Sequence, residues 1–246
     1  MVFAHGFGCD QNMWRLVAPA FASDHRVVLF DHIGSGSASA DAYDPRRHAS
    51  LDGYALDVLE LLQHLDLYDV IFVGHSVSAM IGALASLRDP TRFDKLVMIG
   101  PSPCYIDDAD YRGGFSAADI EELLANLDSN YLGWSRQMAP VIMGNPDRPG
   151  LGEELTNSFC RTDPELARRF AEVTFRSDNR LELAQVLTPT LVVQCTDDVI
   201  APVEVGEYVR DRVRHGSMAL LEATGHCPHL SAPEETIQAI RAFVGH

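Results

Sequence analysis

Short apolar runs alternate with helical patterns over most of the chain. Between the runs, residues 51–65 carry apolar side chains at helical spacing, and residues 77–87 form an almost wholly apolar second helix. Continuous apolar strands that alternate with helices are typical of a parallel sheet covered on both faces. We therefore predict an α/β fold, with a mostly parallel sheet flanked by helices. Its six strands are expected at residues 2–4, 26–31, 70–74, 95–99, 190–194 and 218–221.

The alternation stops once, between residues 101 and about 187, where only helical patterns remain. Ser116 with Asp119, and Thr162 with Glu165, resemble capping boxes that start two of these helices. A proline-rich stretch at 144–150 separates two of the helices in this segment. We expect residues 1–100 and 189–246 to form the core, and residues 101–188 to form a helical lid inserted into it.

The net charge limits the possible binding partners of the protein, and the cysteine content indicates its cellular compartment. The 246 residues include 19 basic and 35 acidic side chains, a formal net charge of −16, which repels nucleic acid and anionic lipid. Five cysteines without a Cys-x-x-Cys pair favour a reduced, cytoplasmic setting. No apolar run approaches the ~20 residues of a membrane span, and no signal peptide is visible. We expect neither a nucleic-acid nor a membrane partner.

The N-terminus begins abruptly, because Met1 is followed within a few residues by the His5-Gly-Phe-Gly8 turn. This leaves no room for a hairpin ahead of the first parallel strand. We expect the first strands of the sheet to be missing, either because the natural chain starts further upstream or because this version lacks them. The strand at 26–31 would then lie at an open edge, which favours self-association.

A strand, a sharp turn and a helix meet around Ser76. The apolar run 70–74 leads directly into His75-Ser76-Val77-Ser78 and then into the apolar helix. This is the context of a nucleophile elbow, which exposes a hydroxyl at the N-terminus of a helix. The usual G-x-S-x-G pattern has Ser78 at its last position here. Taken alone, Ser76 could equally be an ordinary helix N-cap.

Two further strand ends supply partners for this serine. Asp197 and Asp198 follow the strand at 190–194, and His226 follows the last strand, so the order Ser, Asp, His is the one expected of this fold. A neutral imidazole removes the serine proton, and a carboxylate fixes the histidine tautomer. We favour Asp198 for the acid, with Asp197 as the alternative. No histidine spacing suggests a metal, so we expect neither metal nor cofactor.

Backbone donors and apolar side chains complete the candidate site. Attack on a carbonyl requires two N–H groups that stabilise the oxyanion, and we assign them to Phe7 and Val77. Large apolar side chains of the insertion are candidates for a small, apolar substrate cavity, although core packing between helices is an alternative role for each of them. Together with Phe7, the candidates are Tyr105, Phe115, Leu123, Trp134, Met138 and Phe175.

Several motifs resemble one family more closely than the fold alone requires. Segments 5–14, 74–80, 111–115, 175–178 and 225–231 are similar to the RsbQ-type bacterial hydrolases of the sigma-B energy-stress pathway, and less closely to the plant karrikin and strigolactone receptor hydrolases. The resemblance implies a V-shaped lid of four helices and slow hydrolysis of a small hydrophobic molecule. It also implies pocket positions at Phe7, Tyr105, Phe115, Trp134 and Phe175, and a PAS-containing phosphatase as a partner in the bacterial group.

Two functions therefore remain open. The first is a serine carboxylesterase or lactone hydrolase that forms an acyl-enzyme. The second is a small-molecule sensor with weak hydrolysis that acts through a protein partner, since receptors of this group keep the same three residues. Serine at position 76 argues against a haloalkane dehalogenase, which needs aspartate there, and argues less strongly against a cofactor-free oxygenase.

Overall fold

A computed structural model describes residues 1–245 as a six-stranded sheet flanked by helices. All neighbouring strands pair in parallel, in the order β2-β1-β3-β4-β5-β6. The predicted α/β fold is confirmed, and each of the six predicted strands is present. The strands are β1 (Val2–Ala4), β2 (Val28–Phe30), β3 (Val70–His75), β4 (Phe93–Ile99), β5 (Thr190–Asp197) and β6 (Gly216–Thr224).

Ten α-helices accompany the strands over the described residues. Helix α2 follows β3 directly and is buried from Val77 to Ser86, which explains its almost continuous apolar sequence. The helices are α1 (Leu51–His64), α2 (Val77–Arg88), α3 (Ala117–Ser129), α4 (Tyr131–Met143), α5 (Pro149–Arg161), α6 (Pro164–Phe175), α7 (Arg180–Leu183), α8 (Val203–Arg212), α9 (Pro228–Ser231) and α10 (Pro233–Val244).

Alternate side chains of the strands enter two separate cores on the two faces of the sheet, as the pleat of a strand requires. On one face, Phe72 of β3 and Met98 of β4 pack with residues of α1, α2 and α8. On the other face, Val73 and Val97 pack with α10 and with the segment that contains Trp14. Burial on both faces accounts for the lack of polar alternation in the central strands.

Helices α3 to α7 lie between β4 and β5 in the chain, and this segment differs from the prediction in residues 101–116 and at the start of α6. Residues 101–116 are not helical, and Ile106 and Phe115 instead form an isolated bridge. The capping box that starts α3 is confirmed, because Ser116 Oγ accepts from Asp119 N (3.1 Å) and Asp119 Oδ2 accepts from Ser116 N (2.8 Å).

The prediction that Thr162 caps α6 is wrong. The cap is Asp163, whose Oδ1 accepts from the N–H groups of Glu165 (2.9 Å) and Leu166 (3.0 Å). The Thr162 hydroxyl instead donates to the carbonyl of Ser158 in α5. Adjacent oxygen-bearing side chains made either residue a plausible cap, and the turn between the two helices gives the position to the aspartate.

Strand β2 forms one edge of the described sheet, as predicted for residues 26–31, and its three residues are half-buried. All five cysteines are unpaired. Among residues 1–245, no helix has the length and apolar character needed to span a membrane.

Candidate active site

Four loops converge at the carboxyl edge of the sheet. Phe7 follows β1, Ser76 follows β3, Asp198 follows β5 and His226 follows β6. Because every strand is parallel to its neighbours, all four loops emerge on the same side. The sheet therefore brings residues far apart in sequence into one cluster.

Ser76 occupies a sharp turn between β3 and α2. Its backbone angles are φ 56° and ψ −123°, which lie outside the region that non-glycine residues normally adopt, and its N–H donates to the Ile99 carbonyl (2.8 Å). Gly74 permits this turn, since a Cβ there would collide with the carbonyl oxygen of Ser78. Ser76 precedes the helix but makes no capping bond with its side chain, so its hydroxyl is free for another partner.

That partner is His226. Its Nε2 lies 2.8 Å from Ser76 Oγ, and its Nδ1 lies 2.7 Å from Asp198 Oδ2. A carboxylate oxygen only accepts, so Nδ1 carries the proton and Nε2 accepts from the serine hydroxyl. All three side chains are buried. The structure thus joins Ser76, His226 and Asp198 in one chain of hydrogen bonds.

Backbone groups fix the orientation of the carboxylate and the imidazole. Asp198 Oδ1 accepts from Ile200 N (2.9 Å) and Ala201 N (3.1 Å), which turns Oδ2 toward the histidine. His226 N donates to the Ile142 carbonyl at the end of α4 (2.9 Å), so an inserted helix holds the histidine loop. The competing Asp197 is exposed at the end of β5 and lies outside this network.

The two N–H groups assigned to the oxyanion site lie beside Ser76. A Cβ on Gly6 would come 2.5 Å from His75 Nδ1 and 3.2 Å from Ser76 Cβ, so glycine lets the β1 loop approach the serine turn this closely. Phe7 follows that glycine, and its N–H donates to no acceptor within residues 1–245. Val77 is the first residue of α2, where an N–H has no partner within the helix. Both donors remain available to a ligand.

Two further buried histidines, His75 and His229, lie close to His226. The Nε2 of His75 donates to the carbonyl of His226 (2.8 Å). Burial, reinforced by the neighbouring His229 and His226, holds the pKa of His75 well below the usual value, and burial lowers the pKa of His229 to about 3. Both rings are therefore neutral supports at physiological pH. No group of three metal-ligating side chains occurs among residues 1–245.

An apolar cavity with a free volume of ≈ 30 Å³ adjoins Ser76. Phe7 is part of its wall, and its ring centroid lies 6.2 Å from that of Trp134, 5.8 Å from that of Phe159 and 6.0 Å from that of Phe175. The cavity is lined by Phe7, Cys9, His75, Ser76, Tyr105, Trp134, Ile142, Leu155, Phe159, Thr174, Phe175, Ile200, His226 and Cys227. Aromatic rings fill most of the space between the inserted helices and the serine.

Of the seven predicted lining residues, Phe7, Tyr105, Trp134 and Phe175 border the cavity. Phe115, Leu123 and Met138 do not border this cavity; they are half-buried and pack against the same apolar cluster, and their role in substrate binding stays a prediction. The sequence interpretation missed Ile142, Leu155, Phe159, Thr174 and Ile200, among others. Leu155 and Phe159 stand four residues apart on α5, a spacing that indicates one shared helix face.

The parallel sheet, the strained serine turn and the Ser–His–Asp network define the class of α/β hydrolases. The chain matches the model of the Alpha/beta hydrolase family over residues 1–239, and it belongs to this family.

Similar proteins cover almost the whole chain. A protein of Oryza sativa subsp. japonica named as a probable esterase is 40% identical over 100% of this chain and 91% of its own length. "Karrikin insensitive 2 receptor CA" of Petunia hybrida is 37% identical over 100% of this chain and 92% of its own. The solved structure of a hydrolase from Oleispira antarctica superposes with a TM-score of 0.96 at 41% identity, over 99% of this chain and 89% of that one.

Proposed function

We propose that the chain is a serine esterase or lactone hydrolase that cleaves a small hydrophobic compound through an acyl-enzyme. The observation that carries this proposal is the hydrogen-bonded series Ser76 Oγ, His226 Nε2, His226 Nδ1 and Asp198 Oδ2. This series supports transfer of the Ser76 proton to His226, with Asp198 orienting the imidazole, and the serine lies on the wall of a cavity.

The geometry supports a two-stage mechanism. His226 Nε2 takes the Ser76 proton as Oγ attacks the carbonyl carbon, and the N–H groups of Phe7 and Val77 stabilise the resulting oxyanion. The tetrahedral intermediate then collapses, its C–O bond breaks, and the leaving alkoxide takes the proton from His226. A water molecule repeats the attack on the acyl-enzyme and restores the serine. Asp198 stabilises the imidazolium in both stages without accepting its proton.

The cavity favours small and mostly apolar acyl or alcohol groups. Its walls are predominantly aromatic and aliphatic, and its free space of ≈ 30 Å³ in this structure is far below that of a drug-sized pocket. Substrate entry therefore requires movement of side chains or of the inserted helices. We propose that residues 101–188 act as a lid for this reason.

Steady-state hydrolysis of p-nitrophenyl acetate tests the assignment of Ser76. We expect Ser76→Ala to lose about 10⁴ to 10⁶ in kcat, as triad nucleophiles do, while its thermal unfolding stays close to the parent. Ser86→Ala is the matched control, because Ser86 is also buried but donates to Ala83 within α2, away from the cavity. A Ser76→Ala variant within tenfold of the parent would contradict the proposal.

A small-molecule sensor is the second candidate, and the 37% identical relative named as a karrikin insensitive 2 receptor favours it. In a sensor the same site would bind the small molecule, and the biological effect would be a contact with a partner protein. An RsbQ-type role would make that contact a PAS-containing phosphatase, and the five unpaired cysteines agree with a cytoplasmic setting. Binding of a candidate phosphatase with and without ligand separates the two functions, since an enzyme without signalling output would show no ligand effect.

A further inference from the structure

Thr174 places one hydroxyl group in an otherwise apolar part of the cavity wall. The residue is 1% exposed, it borders the cavity beside Ser76, and its Oγ1 has no hydrogen-bond partner within residues 1–245. A buried hydroxyl without a partner costs free energy, because it has lost its bonds to water. Such a group is therefore unusual unless something else bonds to it.

The position of Thr174 on its helix makes the hydroxyl harder to explain by packing. Ala167, Phe170 and Ala171 lie on the same buried face of α6 and are all apolar. A helical threonine commonly satisfies its hydroxyl by donating to the carbonyl three or four residues earlier, but Thr174 makes no such bond. Valine has nearly the same shape and would fill this position without the cost.

Among the described residues, one other residue of the cavity wall, His75, has a buried side-chain atom without a hydrogen-bond partner. That atom is not accessible to a ligand. His75 uses Nε2 on the His226 carbonyl, and its Nδ1 faces Gly6, where a Cβ would lie only 2.5 Å away. The close backbone of Gly6 covers that nitrogen. The Tyr105 hydroxyl, also in the wall, interacts with Ser76, so Thr174 carries the buried wall hydroxyl that has no partner among residues 1–245.

We propose that the Thr174 hydroxyl binds a second oxygen of the substrate, remote from the bond that is cleaved. The substrate class is then an ester or lactone that carries an additional ether, carbonyl or hydroxyl oxygen on an apolar skeleton, rather than a plain hydrocarbon ester. This inference rests on the proposed function, since it concerns the same cavity. A site built to bond a substrate oxygen discriminates against the analogue that lacks it.

Two isosteric pairs of p-nitrophenyl esters test the inference. Methoxyacetate replaces one methylene of butyrate by oxygen, and 3-methoxypropanoate does the same for pentanoate one bond further along. For each pair, kcat/KM for the ether ester is divided by kcat/KM for the carbon ester, so that intrinsic reactivity cancels between protein variants. The variants are Thr174→Val, which removes the hydroxyl and keeps the shape, and Thr174→Ser, which keeps the hydroxyl.

We expect Thr174→Val to lower this ratio by roughly threefold to tenfold for at least one pair, the range of a single hydrogen bond, and Thr174→Ser to retain the parent ratio. We also expect Thr174→Val to melt at the same temperature as the parent or higher, because it removes an unpartnered hydroxyl. An unchanged ratio for both pairs, or equal losses on ether and carbon esters together with a lower melting temperature, would overturn the proposal.

A binding measurement separates failure of this inference from failure of the proposed function. In the Ser76→Ala background no acyl-enzyme forms, and quenching of Trp134 fluorescence by the nitrophenyl group reports affinity directly. Thr174→Val should weaken binding of the ether ester severalfold and leave binding of the carbon ester unchanged. A parent that hydrolyses none of the four esters contradicts the esterase proposal, while this binding difference still decides the role of Thr174. Equal affinity of the Ser76→Ala protein for the ether ester with and without the Thr174→Val substitution would reject that role.

Discussion

Replacing Asp198 by asparagine changes one atom in the centre of the site without changing its shape. Two backbone N–H groups, of Ile200 and Ala201, donate to Asp198 Oδ1 and require an acceptor there. The asparagine oxygen must take that position, so its NH₂ group faces Nδ1 of His226. An NH₂ group only donates, and the histidine proton must move to Nε2. His226 then has no lone pair to accept the Ser76 proton.

The wrong tautomer should lower kcat by about 10⁴, equivalent to about 5.5 kcal/mol of transition-state stabilisation. Thermal unfolding should stay close to that of the parent, because asparagine keeps the acceptor for both N–H groups. The assay is steady-state hydrolysis of p-nitrophenyl acetate at pH 8. Asp197→Asn is the matched control, since Asp197 is exposed and outside the network, and its kcat should stay within about twofold of the parent.

Two results would contradict the role of Asp198: Asp198→Asn keeps kcat within tenfold of the parent, or Asp197→Asn loses more activity than Asp198→Asn. The first result would mean that the carboxylate does not set the histidine tautomer. The second would transfer the role of the acid to the neighbouring residue.

Two further predictions concern the cavity wall and the buried histidines. Trp134→Ala should raise the rate of hydrolysis of octanoate esters relative to acetate esters, because the indole forms part of the cavity wall. It should also cost about 3–5 kcal/mol of stability, because the indole stacks on the ring of Phe159 with centroids 5.8 Å apart. An unchanged chain-length profile would contradict this prediction. Acid should destabilise the protein between pH 6.5 and 5. Burial lowers the pKa of four histidines in the folded protein below the 6.5 of the unfolded chain. The unfolded chain therefore binds more protons as the pH falls, and each histidine lowers the free energy of unfolding by up to about 1.4 kcal/mol per pH unit. A melting temperature that is flat over this range would refute it. These histidines are His5, His32, His75 and His229.

The strands and the serine turn could be predicted because their signals are local. A buried parallel strand needs a continuous apolar run, and the turn at Ser76 needs small neighbours and a helix that starts at once. These requirements act over a few residues, so β3 and α2 are visible in the sequence. Parallel pairing then places the ends of β5 and β6 at the same edge of the sheet as Ser76.

The sequence favoured Asp198 over Asp197 as the acid but left Asp197 open as the alternative. Adjacent residues share their spacing to every other motif, and the turn after β5 decides which carboxylate points inward. That turn is held by the N–H groups of Ile200 and Ala201, which any sequence would supply. The choice of Asp163 over Thr162 as a helix cap was hidden for the same reason.

The cavity wall was predicted least well because it depends on how the inserted helices rotate against each other. Phe115 and Met138 are large and apolar, yet they lie at the margin of the cluster, whereas Phe159 and Ile142 line the cavity. Nothing in the sequence singled out Thr174, because one threonine among apolar residues of a helix face can simply pack in place of a valine or alanine. Its importance appears only once the cavity and the absence of a bonding partner are known.

Labelling by phenylmethylsulfonyl fluoride, followed by peptide mass spectrometry, tests the central claim most directly. The phenyl ring suits an apolar cavity, and an activated serine displaces fluoride to form a stable sulfonyl adduct. We predict one adduct, on Ser76, formed in parallel with the loss of esterase activity and much more slowly in Asp198→Asn. An adduct on another residue, or hydrolysis that persists after Ser76 is fully labelled, would show that Ser76 is not the nucleophile.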